Sequence, residues 1–190
     1  MNNSHDHLIR KGDDPILKQV CTPIEPGEPL PFLELMERAC RRASNGVGLA
    51  APQVGHARRV IFTLSRNGMG DLGQFFINPV IIWRSKETDV AEEGCLSYPG
   101  ITKRIRRFSE IRLAFLDRAR RPHEVLFRGF PARVIQHEVD HLDGICRVGD
   151  PSFVGEPDRA YRARYRGPSP LRAAFPLLAA AAAIGTGGRR

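Results

Sequence analysis

Apolar residues follow two rhythms along this chain. From about Leu30 they recur at helical spacing, with Phe32, Leu35, Met36, Ala39 and Cys40 on one side and Glu34, Glu37, Arg38, Arg41 and Arg42 on the other. That period predicts an amphipathic helix, closed by the basic pair Arg41-Arg42 and by Asn45-Gly46. The second rhythm is short and β-rich. Residues 59–64, 75–83, 88–95, 111–116 and 123–127 predict strands, with turns at 68–73 and 118–122, the last two strands forming an antiparallel pair. A second helix is predicted from Pro131, a residue suited to a first helical turn, past His141 to a stop at Asp143-Gly144. Ahead of the first helix, residues 8–28 read as an extended lead-in, broken by Gly12-Asp13-Asp14-Pro15 and ending in a loop at Pro23, Pro26 and Gly27. Helix, strands, helix in this order predicts an α+β fold, with mainly antiparallel sheets packed around a C-terminal helix and a helix near the N-terminus.

Beyond Gly144 both rhythms fade. Five prolines (Pro151, Pro157, Pro168, Pro170, Pro176) argue against one long helix, and the apolar run 177–184 is too short to span a bilayer. Charge changes the picture of this region. Residues 146–190 hold eight arginines against Asp150, Glu156 and Asp158, so the tail carries +5 of the formal net charge of +8. Such a tail suits a polyanion such as RNA, and equally a solvated end. Four scattered cysteines without a CxxC pair, and a polar start at Met1-Asn2-Asn3-Ser4 unlike a secretory segment, point to free thiols in a reducing cytosol. His5 and His7 belong to a start expected to be disordered.

The second helix bears the chemistry. His137 and His141 stand four apart, one turn above each other on a single face, where both can ligate one metal ion. Glu138, beside the first, can take a proton from a water on that metal. Two histidines need a third ligand, and a catalytic site leaves a position open. The zincin spacing would put a third histidine at 147, which is Arg147, and Glu156 lies in the proline-rich tail. Cys95, after Gly94, is the better candidate, because a thiolate suits divalent iron or zinc. Residues 46–55 are dense in small residues that let backbone approach closely, yet they include Gln53, a polar amide that needs a partner or a task.

Together, Gly46-Val47-Gly48-Leu49-Ala50-Ala51-Pro52-Gln53, Glu93-Gly94-Cys95-Leu96-Ser97 and Gln136-His137-Glu138-Val139-Asp140-His141-Leu142 resemble the three signature motifs of the peptide deformylases. The resemblance covers about residues 8–145. It implies that Cys95, His137 and His141 bind one divalent metal, Fe²⁺ in the usual form, with zinc, nickel or cobalt as substitutes. It implies Glu138 as general base, and the Gln53 side chain with the Leu96 backbone N–H as donors to an oxyanion. Val47, Gly48, Phe130 and Val134 would contact the substrate, with Arg133 among the same pocket positions. Glu93 and Arg107 would form a supporting ion pair, against a plain surface place for Arg107.

The activity implied is release of formate from the N-terminal formylmethionine of nascent polypeptides in the cytoplasm, without membrane or DNA. The expected organisation is a disordered start over 1–7, a catalytic domain over 8–149 and a weakly ordered basic tail over 150–190. That tail departs from the family's usual C-terminal pattern but keeps enough arginine for ribosome contact. Two other readings stand beside this one: a metallopeptidase or other amidase, which would cut internal peptide bonds, and a non-catalytic ribosome-associated factor. The second fits poorly with an intact set of ligands, base and Gln53.

Overall fold

The computed structural model describes residues 8–66 and 71–153. Two helices, α1 (Leu33–Arg42) and α2 (Gly129–Leu142), enclose seven strands: β1 (Gly48–Ala50), β2 (Val60–Arg66), β3 (Asp71–Arg84), β4 (Thr88–Cys95), β5 (Tyr98–Phe108), β6 (Glu110–Leu116) and β7 (Pro122–Arg128). Five of them form an antiparallel sheet in the order β1-β2-β3-β6-β7, and β4-β5 form a separate antiparallel ribbon. The α+β architecture read from the sequence is the one observed.

Successive residues of a strand point to opposite faces, and here both faces are covered. Leu49, Val60, Phe62, Leu64, Phe75 and Ile77 join a core with Leu33, Met36, Ala39 and Cys40 of α1. Ala50, Ile61 and Phe76 face the other way, into a second core with Ile111, Leu113 and Phe115 of β6 and Ala132, Ile135 and Leu142 of α2. This double burial explains why β2 reads as an almost unbroken apolar run rather than an alternating one. Each large apolar side chain withdrawn from water contributes about 1.5–3 kcal/mol, so the sheet centre anchors both helices.

Three readings need correction. Residues 71–73 are part of β3, whose Gly73 pairs with Leu64, so only the stretch before Asp71 remains for the expected turn. Residues 67–70 lie outside the described residues, as do the expected disordered start over 1–7 and the tail beyond 153. The lead-in is not extended throughout: Pro15–Lys18 form a 3-10 turn, started by the Asp14 carboxylate accepting from the Ile16 N–H at 3.1 Å. Strand β5 was not anticipated. Its Pro99, Gly100 and four basic residues mask the pattern, and only Ile105, Arg107 and Phe108 of its eleven residues are buried. No helix among the described residues is long and apolar enough to cross a membrane.

Candidate active site and metal centre

Helix α2 is buried on most of its circumference, and its faces divide by chemistry. One face is core. A second is polar and locks the β4-β5 ribbon in place: the Gln136 side chain accepts from the Phe108 N–H at 3.0 Å and donates to the Phe108 carbonyl at 2.9 Å. The third carries His137, Glu138 and His141. At its C-terminal end the Leu142 carbonyl accepts from the Cys21 N–H at 2.8 Å and from the buried Arg59 guanidinium at 3.3 Å, which satisfies an otherwise orphaned acceptor.

The Cys95 thiol and one ring nitrogen each of His137 and His141 lie within 4.8 Å of one another, with Cys95 Sγ 3.3 Å from His141 Nε2. Sulfur and two imidazoles at this spacing fit a four-coordinate divalent cation with room for one further ligand. The tautomers fit as well. His137 Nδ1 lies 2.9 Å from a Glu93 carboxylate oxygen, which only accepts, so Nδ1 carries the proton and Nε2 keeps its lone pair for a metal. Burial and the neighbouring His137 push the His141 imidazole down to about 3, leaving it neutral as a ligand must be. Burial opposes the charged form of His137, but the hydrogen bond to Glu93 and the nearby Glu138 outweigh it and raise its pKa.

Glu93 is the point where three elements meet. Its carboxylate accepts Arg107 Nε and Nη2 of β5 at 2.9 Å each, Arg133 Nη1 of α2 at 2.6 Å, and His137. Arg107, 1% exposed, also donates to Asp140 Oδ2 at 2.5 Å, and Arg147 Nε meets the same oxygen at 2.9 Å. Arg107 therefore has no surface role. The Glu93 pair expected from the resemblance is one edge of a buried network that also includes Asp140, Arg133 and Arg147. Arg133, which also lines the cavity, further donates to the Ile105 carbonyl at 2.9 Å and to Asp89 Oδ2 at 2.8 Å, so its charge is matched. Burial works against an ionised Glu93, but hydrogen bonds from His137 and Arg107 hold its carboxyl well below the usual range.

A cavity of about 230 Å³ opens beside the candidate ligands Cys95 and His137, with Val47, Gly48, Gln53, Leu96, Phe130, Val134 and Glu138 in its walls. Gln53, 1% exposed, is pinned by its Oε1 accepting from the Ala50 N–H at 2.8 Å, and its Nε2 donates to Ser97 Oγ at 3.1 Å beside the Cys95 sulfur. Leu96 sits in the tight turn between β4 and β5. The lead-in ties these parts together: Arg10 N–H donates to the Gln53 carbonyl at 2.7 Å, Lys11 Nζ to the Leu96 carbonyl at 2.9 Å, and Gly12 N–H to the Ser97 carbonyl at 2.9 Å. Phe130 lies at the rim, 62% exposed, while Val134 is buried. The residues singled out in the sequence for metal, catalysis or substrate thus border one space, except His141, which is buried outside its walls with its Nε2 3.3 Å from the Cys95 sulfur.

Glu138 Oε2 is buried and has no hydrogen-bond partner among the described residues. Burial raises its carboxyl to about 7, against the pull of His137. Gly48 is what allows this carboxylate so close. A Cβ there would meet Glu138 Oε1 at its nearest approach and Val134 Cγ1 at 2.8 Å. Gly48→Ala is therefore expected to displace Glu138 and lower turnover by at least tenfold, about 1.4 kcal/mol, with metal content unchanged. Full turnover in that variant would show that the carboxylate has space to spare.

One participant carried no sequence signal. Arg147, in the loop after α2, donates from Nε to Asp140 Oδ2 and so joins the charge network behind the ligands, a place that neither its spacing nor its neighbours announce.

A model of the polypeptide deformylase family matches residues 7–150. A curated peptide deformylase of Halothermothrix orenii is 38% identical over 150 residues, covering 78% of this chain and 95% of the relative. The peptide deformylase of Prochlorococcus marinus strain NATL1A is 45% identical over 107 residues, and there the chain spans about half (53%) of the relative's length. Among solved structures, the class I type b peptide deformylase of Acinetobacter baumannii bound to K3U aligns with a TM-score of 0.67 at 36% identity, over 74% of this chain and 95% of that one. Its Met-Ala-Ser-bound form aligns with a TM-score of 0.64 at 35% identity, over 72% and 92%. Sequence, fold and the disposition of the three motifs agree, and the chain belongs to the polypeptide deformylase family.

Proposed function

We propose that this chain removes the formyl group from the N-terminal formylmethionine of nascent polypeptides, releasing formate. The observation that carries the reading is the unpartnered Glu138 carboxylate oxygen beside the convergent Cys95, His137 and His141 donors. When bound, a divalent metal, by family habit Fe²⁺, supplies Lewis acidity and a water acidic enough to attack near neutral pH. The chain's own groups do the rest. Glu138 takes the proton of the attacking water and returns it to the departing amine nitrogen. Gln53 Nε2, held by the clamp on its Oε1, donates to the oxygen on which charge develops, and the Leu96 N–H is the second donor.

The cavity suits a small acyl group, with Val47, Val134 and the stem of Arg133 offering apolar surface to the methionine side chain. Strands β1 and β4 lie at sheet edges on either side, so an extended peptide can join them as an added strand. The Met-Ala-Ser bound to the Acinetobacter baumannii relative is a peptide of this kind. The catalytic unit is taken as residues 8–149. The tail from 150, with its arginines, is taken as a contact for ribosomal RNA. A cytoplasmic location follows from that task.

The test is formate release from formyl-Met-Ala-Ser by anaerobically prepared Fe²⁺ protein. Activity should vanish after chelation and return with added Fe²⁺, the peptide remaining otherwise uncut. Cleavage of an internal bond, or formate release that survives chelation with no metal left, would overturn the reading.

A further inference from the structure

A second cavity, also of about 230 Å³, adjoins the first and has no part in the chemistry above. Its origin is the join between β7 and α2. Gly129, at φ 58°, turns the one straight into the other, and the first turns of the helix roof a space over β2. The two cavities have Val47, Phe130 and Val134 in common, while Thr63 of β2, Phe127 of β7 and Ile135 of α2 border the second alone. Among the described residues, none that lines the second cavity is charged, whereas Glu93, His137 and Glu138 border the first. The three shared residues are not equally fixed. The Val47 carbonyl accepts from the Leu64 N–H at 2.9 Å, which ties that backbone to β2, and Val134 is buried on α2. Phe130 has the largest side chain of the three and stands 62% exposed at the rim, so it can change without opening the core.

We propose that Phe130 is a partition between the methionine cavity and an apolar extension of it, and so sets the longest side chain that the substrate's first residue can carry. The proposal rests on the function inferred above, in which a formylated N-terminal residue enters the first cavity. A side chain that runs from the candidate ligands toward Val47 and Val134 meets the Phe130 ring. A longer unbranched chain must then fold back toward the charged wall or push the ring aside. Without the ring it passes into the space beside Phe127 and Ile135, where each further methylene leaves water for apolar surroundings. One methylene that an apolar pocket admits or refuses changes kcat/KM by about 10–200-fold. A single ring at this point is therefore enough to separate methionine from longer side chains. Phe130 touches the substrate without taking part in bond making, and it governs which side chain enters.

The test uses the full chain, loaded anaerobically with Fe²⁺, as unaltered protein, as Phe130→Ala and as Phe130→Ala with Thr63→Phe, which fills the second cavity from β2. Calorimetry gives Kd for Met-Ala-Ser and for 2-aminodecanoyl-Ala-Ser, whose unbranched octyl side chain outreaches that of methionine. Formate release gives kcat/KM for the formylated forms of both. The unaltered chain should favour the methionine peptide at least tenfold by either measure. Phe130→Ala should shift that ratio at least tenfold toward the octyl peptide, and Phe130→Leu should shift it less in the same direction. Thr63→Phe, or the milder Thr63→Leu, should reverse the shift, because the space gained lies over β2. Equal acceptance of both peptides by the unaltered chain, or a shift that persists with the second cavity filled, would overturn the partition. Peptides that bind with this length dependence but release no formate would instead overturn the proposed function and support the partition.

Discussion

Glu138→Ala is expected to slow formate release by about 10²–10⁴-fold, the usual worth of a positioned acid–base group, with one metal still bound per chain. The expectation follows from its situation: buried, with Oε2 unpartnered, and so close to Gly48 that no Cβ would fit there. Glu138→Gln keeps the shape and removes the proton transfer, so it should lose nearly as much. The pH profile separates proton transfer from mere crowding. A general base works only when ionised, so turnover should climb as pH rises through the carboxyl's pKa, which burial sets at about 7 in the bare site. A bound cation pulls that value down, so the acid limb should lie at or below pH 7 and should be absent from what activity Glu138→Gln retains. An unchanged rate in metal-replete Glu138→Gln would remove this residue from the chemistry.

The second large effect is on stability. Arg107→Met is expected to cost about 3–5 kcal/mol, the range for removing one partner from a buried charge network, and so to lower Tm by about 10 °C. Glu93 and Asp140 stay behind in the interior when the guanidinium goes, and each keeps a single arginine, Arg133 and Arg147 respectively. Acid unfolding carries the same information. Burial opposes ionisation of both carboxyls, but their arginine partners, together with the Glu93–His137 hydrogen bond, hold the pKa values below their unfolded ones. Their contribution is thus fully present above about pH 4.3 and is lost as pH falls through the depressed native values. Arg107→Met should show a shallower loss across that window. A variant as stable as the parent would mean that Arg133 and Arg147 suffice.

Much of this was legible because it is local. The period that marked α2 also set His137 and His141 on one face, and the apolar runs of β2, β3 and β6 announced themselves through double burial. Strand β5 did not, since its side chains are mostly solvated and its structure comes from register with β4 rather than from its own pattern. The charge network was half legible. Glu93 and Arg107 were paired in anticipation, but Asp140, Arg133 and Arg147 lie on a helix and a loop whose burial only the assembled fold reveals. A buried arginine and a solvated one look the same in sequence.

Helix α2 belongs at once to the second apolar core, through Ala132, Ile135 and Leu142, and to the candidate metal centre, through His137 and His141. Unfolding the one must dismantle the other. An ion taken up by the native chain alone therefore acts as a cross-tie on the core, adding about 2.7 kcal/mol at a free concentration a hundred times its Kd. Conversely, a substitution that loosens Leu142 or Ile135, far from any substrate, will register as a weaker hold on the ion. In this fold, affinity for the metal and resistance to heat are two measurements of one equilibrium.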